Sequence, residues 1–211
     1  MARFTEHQEH QKGDEDRLAR SVARCLFEDR SLGWEEAFVA ARRIVGVGGR
    51  GAMPSHALVR RHLEALQESR HGDEGARRAR RARVEGILEL LEFVRFVLEP
   101  DELVVVGLLA RGVAVGPLEV HARILEGQPF QTLFSHLEGV GIKEVMTSST
   151  AGPMGRFDSI RFVSDGESYT LTRVPQTFQS VTDERNLVTG APIAQVTLDE
   201  LSQFFIPVDE G

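Results

Sequence analysis

The spacing of hydrophobic residues changes near residue 100 of this 211-residue chain. Before that point, apolar positions recur every three or four residues, which is typical of amphipathic helices. The spacing predicts four helices, which begin near residues 14, 34, 56 and 74, the last reaching Leu98. Polar or glycine-rich stretches predict a disordered tail over 1–13 and loops over 46–54 and 68–75. The first 99 residues are therefore expected to form a helical region over 14–99.

After Pro100 the apolar positions alternate with a period of two, as they do on strands. The pattern predicts strands at 102–110 and 117–125, a helix at 129–141, a short strand at 142–148 and a loop at 150–156. A hairpin over 158–174 turns at Asp165-Gly166, and Thr197 caps a closing helix over 198–205. We therefore expect an α+β protein. Its N-terminal helical layer precedes a small mixed or mostly antiparallel sheet domain over 100–207, and the long helix packs its last turns on the sheet.

The formal net charge is −7, so no overall basic field favours nucleic acid. The charge is uneven, with 18 basic against 17 acidic residues over 1–100 and 7 against 15 over 101–211. The run "RRARRAR" at 77–83 could contact phosphates of nucleic acid. Its arginines spread around the helix, Glu74 and Glu85 are available partners, and no aromatic residues interleave. A solvated helix face is the favoured interpretation, and nucleic-acid binding stays open.

Cysteine usage and hydropathy bear on the compartment. Cys25 is the only cysteine, which excludes an intrachain disulfide and favours a reducing cytoplasm. The polar N-terminus has no apolar core of a signal peptide. No window approaches 18 apolar residues, so no membrane span is predicted. We therefore expect a cytoplasmic protein.

Candidate chemistry lies in "VVVGLLARGVAVGPLEVHARIL", from Val104 to Leu125. Gly107 follows an apolar strand, Arg111 and Gly112 form a turn, and Glu119 and His121 stand two apart on the next strand. The period of two puts both polar side chains on one sheet face. This order resembles the minimal nucleotidyltransferase pattern, in which a strand is followed by a glycine, a turn and a second strand that carries paired polar residues.

Over about residues 20–205 the chain also resembles a family of uncharacterised bacterial nucleotidyltransferase-like proteins. The resemblance lies in the order of its features. These are "AARRIV" on a helix, a glycine-containing loop, "MPSHALVRRHLEAL", an arginine-rich helix, the strand before Gly107, "PLEVHARIL", a helix ending in Gly139 and Gly141, then a hairpin and a short helix.

The resemblance implies a nucleotidyltransferase-like fold. It places Gly107, Arg111 and Gly112 at nucleotide phosphates and Glu119 with His121 at the catalytic centre. Glu119 would be a ligand of Mg²⁺, the cofactor if the chain is active. A third acid in such enzymes activates the incoming hydroxyl.

The departures from the pattern bear on activity. Leu108 replaces the usual serine, and Glu119 and His121 stand where two aspartates are expected. Imidazole is a poor ligand for Mg²⁺, which prefers hard oxygens. The strand "SYTLTRV" offers Tyr169, Thr170 and Thr172 in place of a third acid, unless Asp158 or Glu144 folds back.

These departures favour a catalytically degenerate protein that retains nucleotide or RNA binding. The alternative is a non-catalytic interaction module that docks a partner or a second copy of itself. Simple structural roles also stay open: Glu119 and His121 on a solvated sheet face, and Gly107 and Gly112 at a tight corner. "GVGGRG" at 46–51 favours a helix-stopping glycine over a phosphate loop.

Overall fold

The computed structural model describes residues 2–46, 53–152, 155–174 and 185–206, with side chains from residue 13 onward. The chain divides into two compact units. The helical unit comprises Met1–Ala79 with Val115–Pro117, and the sheet unit comprises Arg80–Ala114 with Leu118–Gly211. The division lies inside the longest helix, whereas the hydrophobic period predicts it near residue 100.

The helical unit contains α1 (Ala2–Glu28), α2 (Trp34–Val45) and the first part of α3 (His56–Leu98). Its core is formed by apolar stripes of these helices together with Val115: Leu18, Val22, Leu26, Ala37, Ala41, Val59 and Leu63. Helix α1 begins at Ala2, although the sequence predicts a tail up to residue 13. The tail is rich in Ala, Glu, Gln, Lys and Arg, which extend an existing helix at little cost.

Helix α3 is longer than the sequence predicts. The expected loop over 68–75 is reduced to one non-helical residue, Gly72, with φ 68° and ψ 165°. Residues on both sides of Gly72 are helical, and only glycine adopts such a conformation without steric cost. One glycine therefore breaks the helix where the charged, apolar-poor composition predicts a whole loop.

The sheet unit has six described strands and two further helices. The strands are β1 (Glu102–Val106), β2 (Glu119–Leu125), β3 (Met146–Gly152), β4 (Gly155–Ser164), β5 (Glu167–Val174) and β6 (Gln195–Thr197). The helices are α4 (Phe130–Gly139) and α5 (Leu198–Phe205). The spatial order is β3-β4-β5-β2-β1-β6, with β2 and β5 parallel and every other pair antiparallel. Mixed helix and sheet content is thereby confirmed.

Alternate residues of the strands divide the sheet into two faces. The inner face carries Val105, Ala122 and Leu171, which join one large core with the later turns of α3 and with α4. Val84, Ile87, Leu91 and Val94 supply the α3 side of that core. The prediction that the long helix packs its last turns on the sheet is confirmed.

Strand β3 departs from the sequence prediction. A strand over 142–148 and a loop over 150–156 are expected, but the structure pairs β3 with β4 from Met146↔Arg161 to Gly152↔Gly155. Serine and glycine in this stretch indicate a loop by composition. The hydrogen bonds with β4 outweigh that local preference, because strand propensity depends on context. Thr147 and Thr150 are also residues that favour strands.

Candidate functional site

The candidate residues on β2 lie on the outer face of the sheet, the face opposite the α3 core. Glu119 and His121 alternate with the fully buried Val120 and Ala122. Across the parallel pair, Glu119 lies opposite Ser168 and His121 opposite Thr170. Strand β4 continues this face with Val163, Arg161 and Ser159, which lie opposite Ser168, Thr170 and Thr172. The outer face is therefore polar across its centre.

A strap formed by residues 185–194 covers one half of the outer face. Arg185 at its start pairs with Pro192 in an isolated antiparallel bridge, and the Asn186 side chain accepts hydrogen bonds from the amides of Val188 and Thr189. Leu187 and Ile193 of the strap pack against the outer-face cluster Val104, Val106, Phe157 and Val174. Among the described residues, the half that begins at Glu119 and Ser168 is not covered by the strap: Glu119, Arg161 and Val163 are exposed, and His121, Ser168 and Thr170 are half-buried. We call this the open half.

Arg123 shows how closely the strap covers the sheet. It follows Glu119 and His121 on the same face, yet only 3% of it is exposed. Its guanidinium donates a hydrogen bond to the Arg185 carbonyl of the strap. A buried guanidinium needs such acceptors because burying an unsatisfied charge is costly. Arg123 therefore serves the strap, and it separates the covered half from the open half.

Glu119 and His121 form a pair within the open half. The imidazole Nε2 lies 3.2 Å from Glu119 Oε2, and the side chains are 40% and 75% exposed respectively. This contact confirms that the period of two puts both residues on one face. One carboxylate and one imidazole do not make a site for Mg²⁺, which takes several hard oxygen ligands.

Further acids do not complete a metal site in the described part of the chain. Within those residues no group of three or more His, Cys, Asp or Glu is placed to hold a metal ion. Asp158 lies opposite Ser149 and alternates with Ser159, so it belongs to the inner face, away from Glu119. Glu144 precedes β3 with φ 61°. The donor set therefore does not fit the Mg²⁺ that the nucleotidyltransferase resemblance implies.

The strand "SYTLTRV" divides between the two faces. Tyr169 points inward, is buried, and stacks on Phe162 with ring centroids 5.1 Å apart. Burial, and then the nearby carboxylates of Glu167 and Asp165, raise the pKa of its hydroxyl. Thr170 and Thr172 point to the outer face, where Thr172 and Ser159 share a hydrogen bond of 3.0 Å. Thr170 therefore lies in the open half beside His121, on the same face as Ser168.

The glycine-containing turn borders the open half, because Gly107 directly follows Val106, the partner of His121 in the sheet. Gly107 has φ 88°, and its amide donates to the Ala194 carbonyl at 2.9 Å. A short 3-10 helix (Leu109–Arg111) follows and ends at Gly112, with φ 77°. A Cβ on Gly112 would lie 2.9 Å from the ring of Phe204. Both glycines are thus required by backbone geometry.

The side chains of this turn are more informative than its glycines. Arg111 is exposed, and within the described residues its side chain has no hydrogen bond or ion pair; the same holds for Arg161 on the sheet. Leu108, the residue in place of the serine that the sequence resemblance leads one to expect, is 36% exposed. The turn therefore offers one unengaged cation at the border of the open half.

The arginine run on α3 is mostly engaged locally. Arg78 pairs with Glu74 and Arg81 with Glu85, both at 2.9 Å. Arg77 donates to the Asp73 carbonyl at 3.4 Å. These one-turn contacts are typical of a solvated helix face and leave no continuous basic stripe.

Arg83, the last arginine of the run, has a different role that the sequence does not reveal. It forms a two-pronged ion pair with Glu167 at the start of β5, with N–O distances of 2.5 and 2.6 Å. Its third nitrogen donates to the Ala114 carbonyl at 2.9 Å. The pair is mostly buried and fixes α3 to the sheet. Because its partners are 84 residues apart, local sequence carries no signal for it.

Other residues that the sequence singles out have local structural roles. His62 lies 2.8 Å from Asp16, and together Arg20 and His62 lower the pKa of that carboxyl. His56 stacks on Trp34 with centroids 4.4 Å apart. Arg156 donates to Ser149 at 2.8 Å within the β3–β4 pair.

The glycine-rich stretch after α2 begins as a helix stop. Gly46 has φ 69°, and its amide donates to the Arg42 carbonyl at 3.1 Å. This geometry agrees with a helix-stopping glycine. The rest of the suggested phosphate loop, residues 47–51, lies outside the described residues.

Comparison with known proteins adds no relative to this geometry. No protein-family model matches the chain, and neither a curated protein nor a solved structure matches it. In the described residues, no helix combines the length and the apolar character needed to cross a membrane.

Proposed function

We propose that the sheet unit binds a nucleotide on the open half of the outer face and does not carry out metal-dependent nucleotidyl transfer. The observation that supports this is the placing of His121, Thr170 and Arg161 side by side across three strands, beside the turn that carries Arg111.

Each of these groups matches a part of a nucleotide. Two exposed guanidiniums without partners among the described residues are suited to phosphate, which they bind in two-pronged geometry. The Thr170 hydroxyl and the His121 ring can donate to phosphate oxygens. Glu119 can accept hydrogen bonds from ribose hydroxyls or a base amino group. A nucleotide offers both the anion and these donors.

The same ligand set argues against transfer chemistry. Nucleotidyl transfer uses a metal held by several carboxylates and an acid that activates the incoming hydroxyl. On the outer face, Glu119 is the one carboxylate of the open half in the described strands. The proposal is therefore a binding protein with a nucleotidyltransferase-like layout, which would explain the departures in its sequence motif.

Thermal unfolding with each of ATP, GTP, CTP and UTP, in EDTA and in Mg²⁺, tests the proposal. A nucleotide at about 100 times its dissociation constant adds about 2.7 kcal/mol of stability. For a chain of this size that raises the melting temperature by roughly 5 °C or more. We expect at least one nucleotide to produce this shift in EDTA.

Matched variants locate the site. Arg161→Ala is expected to remove the shift, whereas Arg61→Ala, an exposed arginine of α3 with the same change in charge, keeps it. Absence of a shift with all four nucleotides would refute nucleotide binding. A shift that requires Mg²⁺ and disappears in Glu119→Gln would refute the metal-independent form and restore a metal site at Glu119.

A further inference from the structure

The strand β3 (Met146–Gly152) forms one edge of the sheet. In the described part of the chain it pairs only with β4, and its residues from Met146 to Ala151 are all exposed. Every second residue of an edge strand directs an unpaired amide and carbonyl away from the sheet. Seven residues of edge are long enough to template another strand.

This edge lacks the features by which proteins usually prevent such pairing. The sequence "MTSSTAG" contains no charged residue and no proline. Its register with β4 runs without a bulge from Met146 to Gly152. The other edge, β6, is only three residues long and half-buried. Short strands, charges and bulges protect edges, and β3 has none of the three.

We propose that β3 pairs antiparallel with β3 of a second copy of this chain, which joins the two sheets edge to edge. This inference does not rest on the proposed nucleotide site, although Arg161 of that site is the β4 partner of Met146. A two-fold axis is the usual symmetry of such pairs, and each copy then contributes the same surface.

The chemistry of β3 favours its own copy as the partner. In an antiparallel pair, directly opposed residues have the same backbone orientation, so even residues oppose even ones and odd residues oppose odd ones. The two-fold axis therefore lies between one residue and the same residue of the second copy. Near the middle of the strand that residue is Ser148 or Ser149. In either register only small or uncharged side chains face each other, including favourable Thr–Ser pairs. No like charges meet, which is the usual obstacle to pairing identical strands.

Apolar exposure at the same edge agrees with this partner. Met146, the first residue of β3, is 62% exposed. Met146 opposes Thr150 when the axis is at Ser148 and Gly152 when it is at Ser149, so in both registers the opposing strand reaches Met146 and reduces its contact with water. A single strand pair buries less than the ~1,200 Å² of a standard interface, so we expect a transient dimer with a micromolar or weaker dissociation constant.

Sedimentation of the unmodified chain over a range of concentrations is the first test. We expect reversible dimerisation, together with concentration-dependent slowing of amide hydrogen exchange in β3. Ser148→Lys places a charge on the edge close to its own copy and is expected to weaken the dimer at least tenfold. Ser69→Lys, an exposed position of α3, should leave dimerisation unchanged.

Oxidative cross-linking determines the register. Opposed residues have Cβ atoms about 5 Å apart, so Ser148→Cys or Ser149→Cys should form a disulfide-linked dimer far faster than Ser69→Cys. Cys25 is buried with a raised pKa and is the same background in all three variants. A chain that stays monomeric up to about 1 mM, or dimers that Ser148→Lys does not weaken, would overturn the proposal. Equal cross-linking of all three variants would also overturn it.

Discussion

The ion pair between Arg83 and Glu167 makes a measurable prediction for the stability of the sheet unit. Glu167→Gln keeps the shape of the side chain but removes its charge, leaving the Arg83 guanidinium with only partial compensation. The Arg83 side chain is 24% exposed and that of Glu167 is 10% exposed, so solvent screens little of the loss. Removing one partner of a buried pair typically costs 3–5 kcal/mol, and we expect about 3 kcal/mol here.

The same change should lower the melting temperature by roughly 6–12 °C, at 2–4 °C per kcal/mol for a chain of this size. The two units carry separate optical probes, because the single Trp34 lies in the helical unit and the single Tyr169 in the core of the sheet unit. Urea unfolding followed by the near-ultraviolet circular dichroism of tyrosine therefore reports the affected unit. Tryptophan fluorescence reports the helical unit in the same sample.

A double-mutant cycle with Arg83→Met isolates the interaction. We expect Glu167→Gln with Arg83→Met to be less destabilising than the sum of the single changes, because neither charge is then left alone. Arg81→Met breaks the exposed pair with Glu85 on the same helix and should cost at most about 1 kcal/mol. If Glu167→Gln costs no more than Arg81→Met, the pair does not fix α3 to the sheet.

Two further predictions concern the cap of α5 and two glycines. The Glu200 carboxylate accepts hydrogen bonds from the Thr197 amide and hydroxyl, which lower its pKa below the ordinary 4.5. Its contribution is therefore present above the ordinary pKa of 4.5 and is lost as pH falls through the lowered pKa, so the melting temperatures of wild type and Glu200→Gln should differ at pH 7 and converge in acid below that lowered pKa. A difference that stays constant with pH would contradict this. Gly127→Ala should destabilise the protein in urea unfolding by at least about 1 kcal/mol, since φ is 88° and a Cβ would lie 2.6 Å from the Leu98 carbonyl oxygen. Gly86→Ala, inside α3 with open space around it, should stabilise by up to about 1 kcal/mol, and equal effects of the two changes would refute the distinction.

Local sequence patterns correctly predicted the elements that are determined by residues close together in the sequence. The hairpin turns at Asp165 and Gly166, which have φ 50° and 78° between β4 and β5. Helix α5 begins after Thr197, whose hydroxyl accepts from the Glu200 amide as a cap should. The shared face of Glu119 and His121 follows from the period of two alone.

Features that depend on distant partners could not be predicted in this way. The parallel pairing of β2 with β5 brings Thr170 beside His121 across nearly fifty residues of chain. The burial of Arg123 requires the strap, which no periodicity indicates. Composition also failed at β3, because a strand made of serine and threonine looks like a loop until β4 supplies its hydrogen bonds.

The helical unit contains three residues from the connection between β1 and β2, and this nesting constrains how the protein can be made. Val115 is 1% exposed and belongs to the core formed by α1, α2 and the first part of α3. During synthesis on the ribosome, that core stays incomplete until residues 115–117 have left the exit tunnel, although its helices emerge much earlier. Cutting the gene between residues 79 and 80 would likewise leave the first fragment without Val115. The two units are therefore compact but not separable as consecutive lengths of chain.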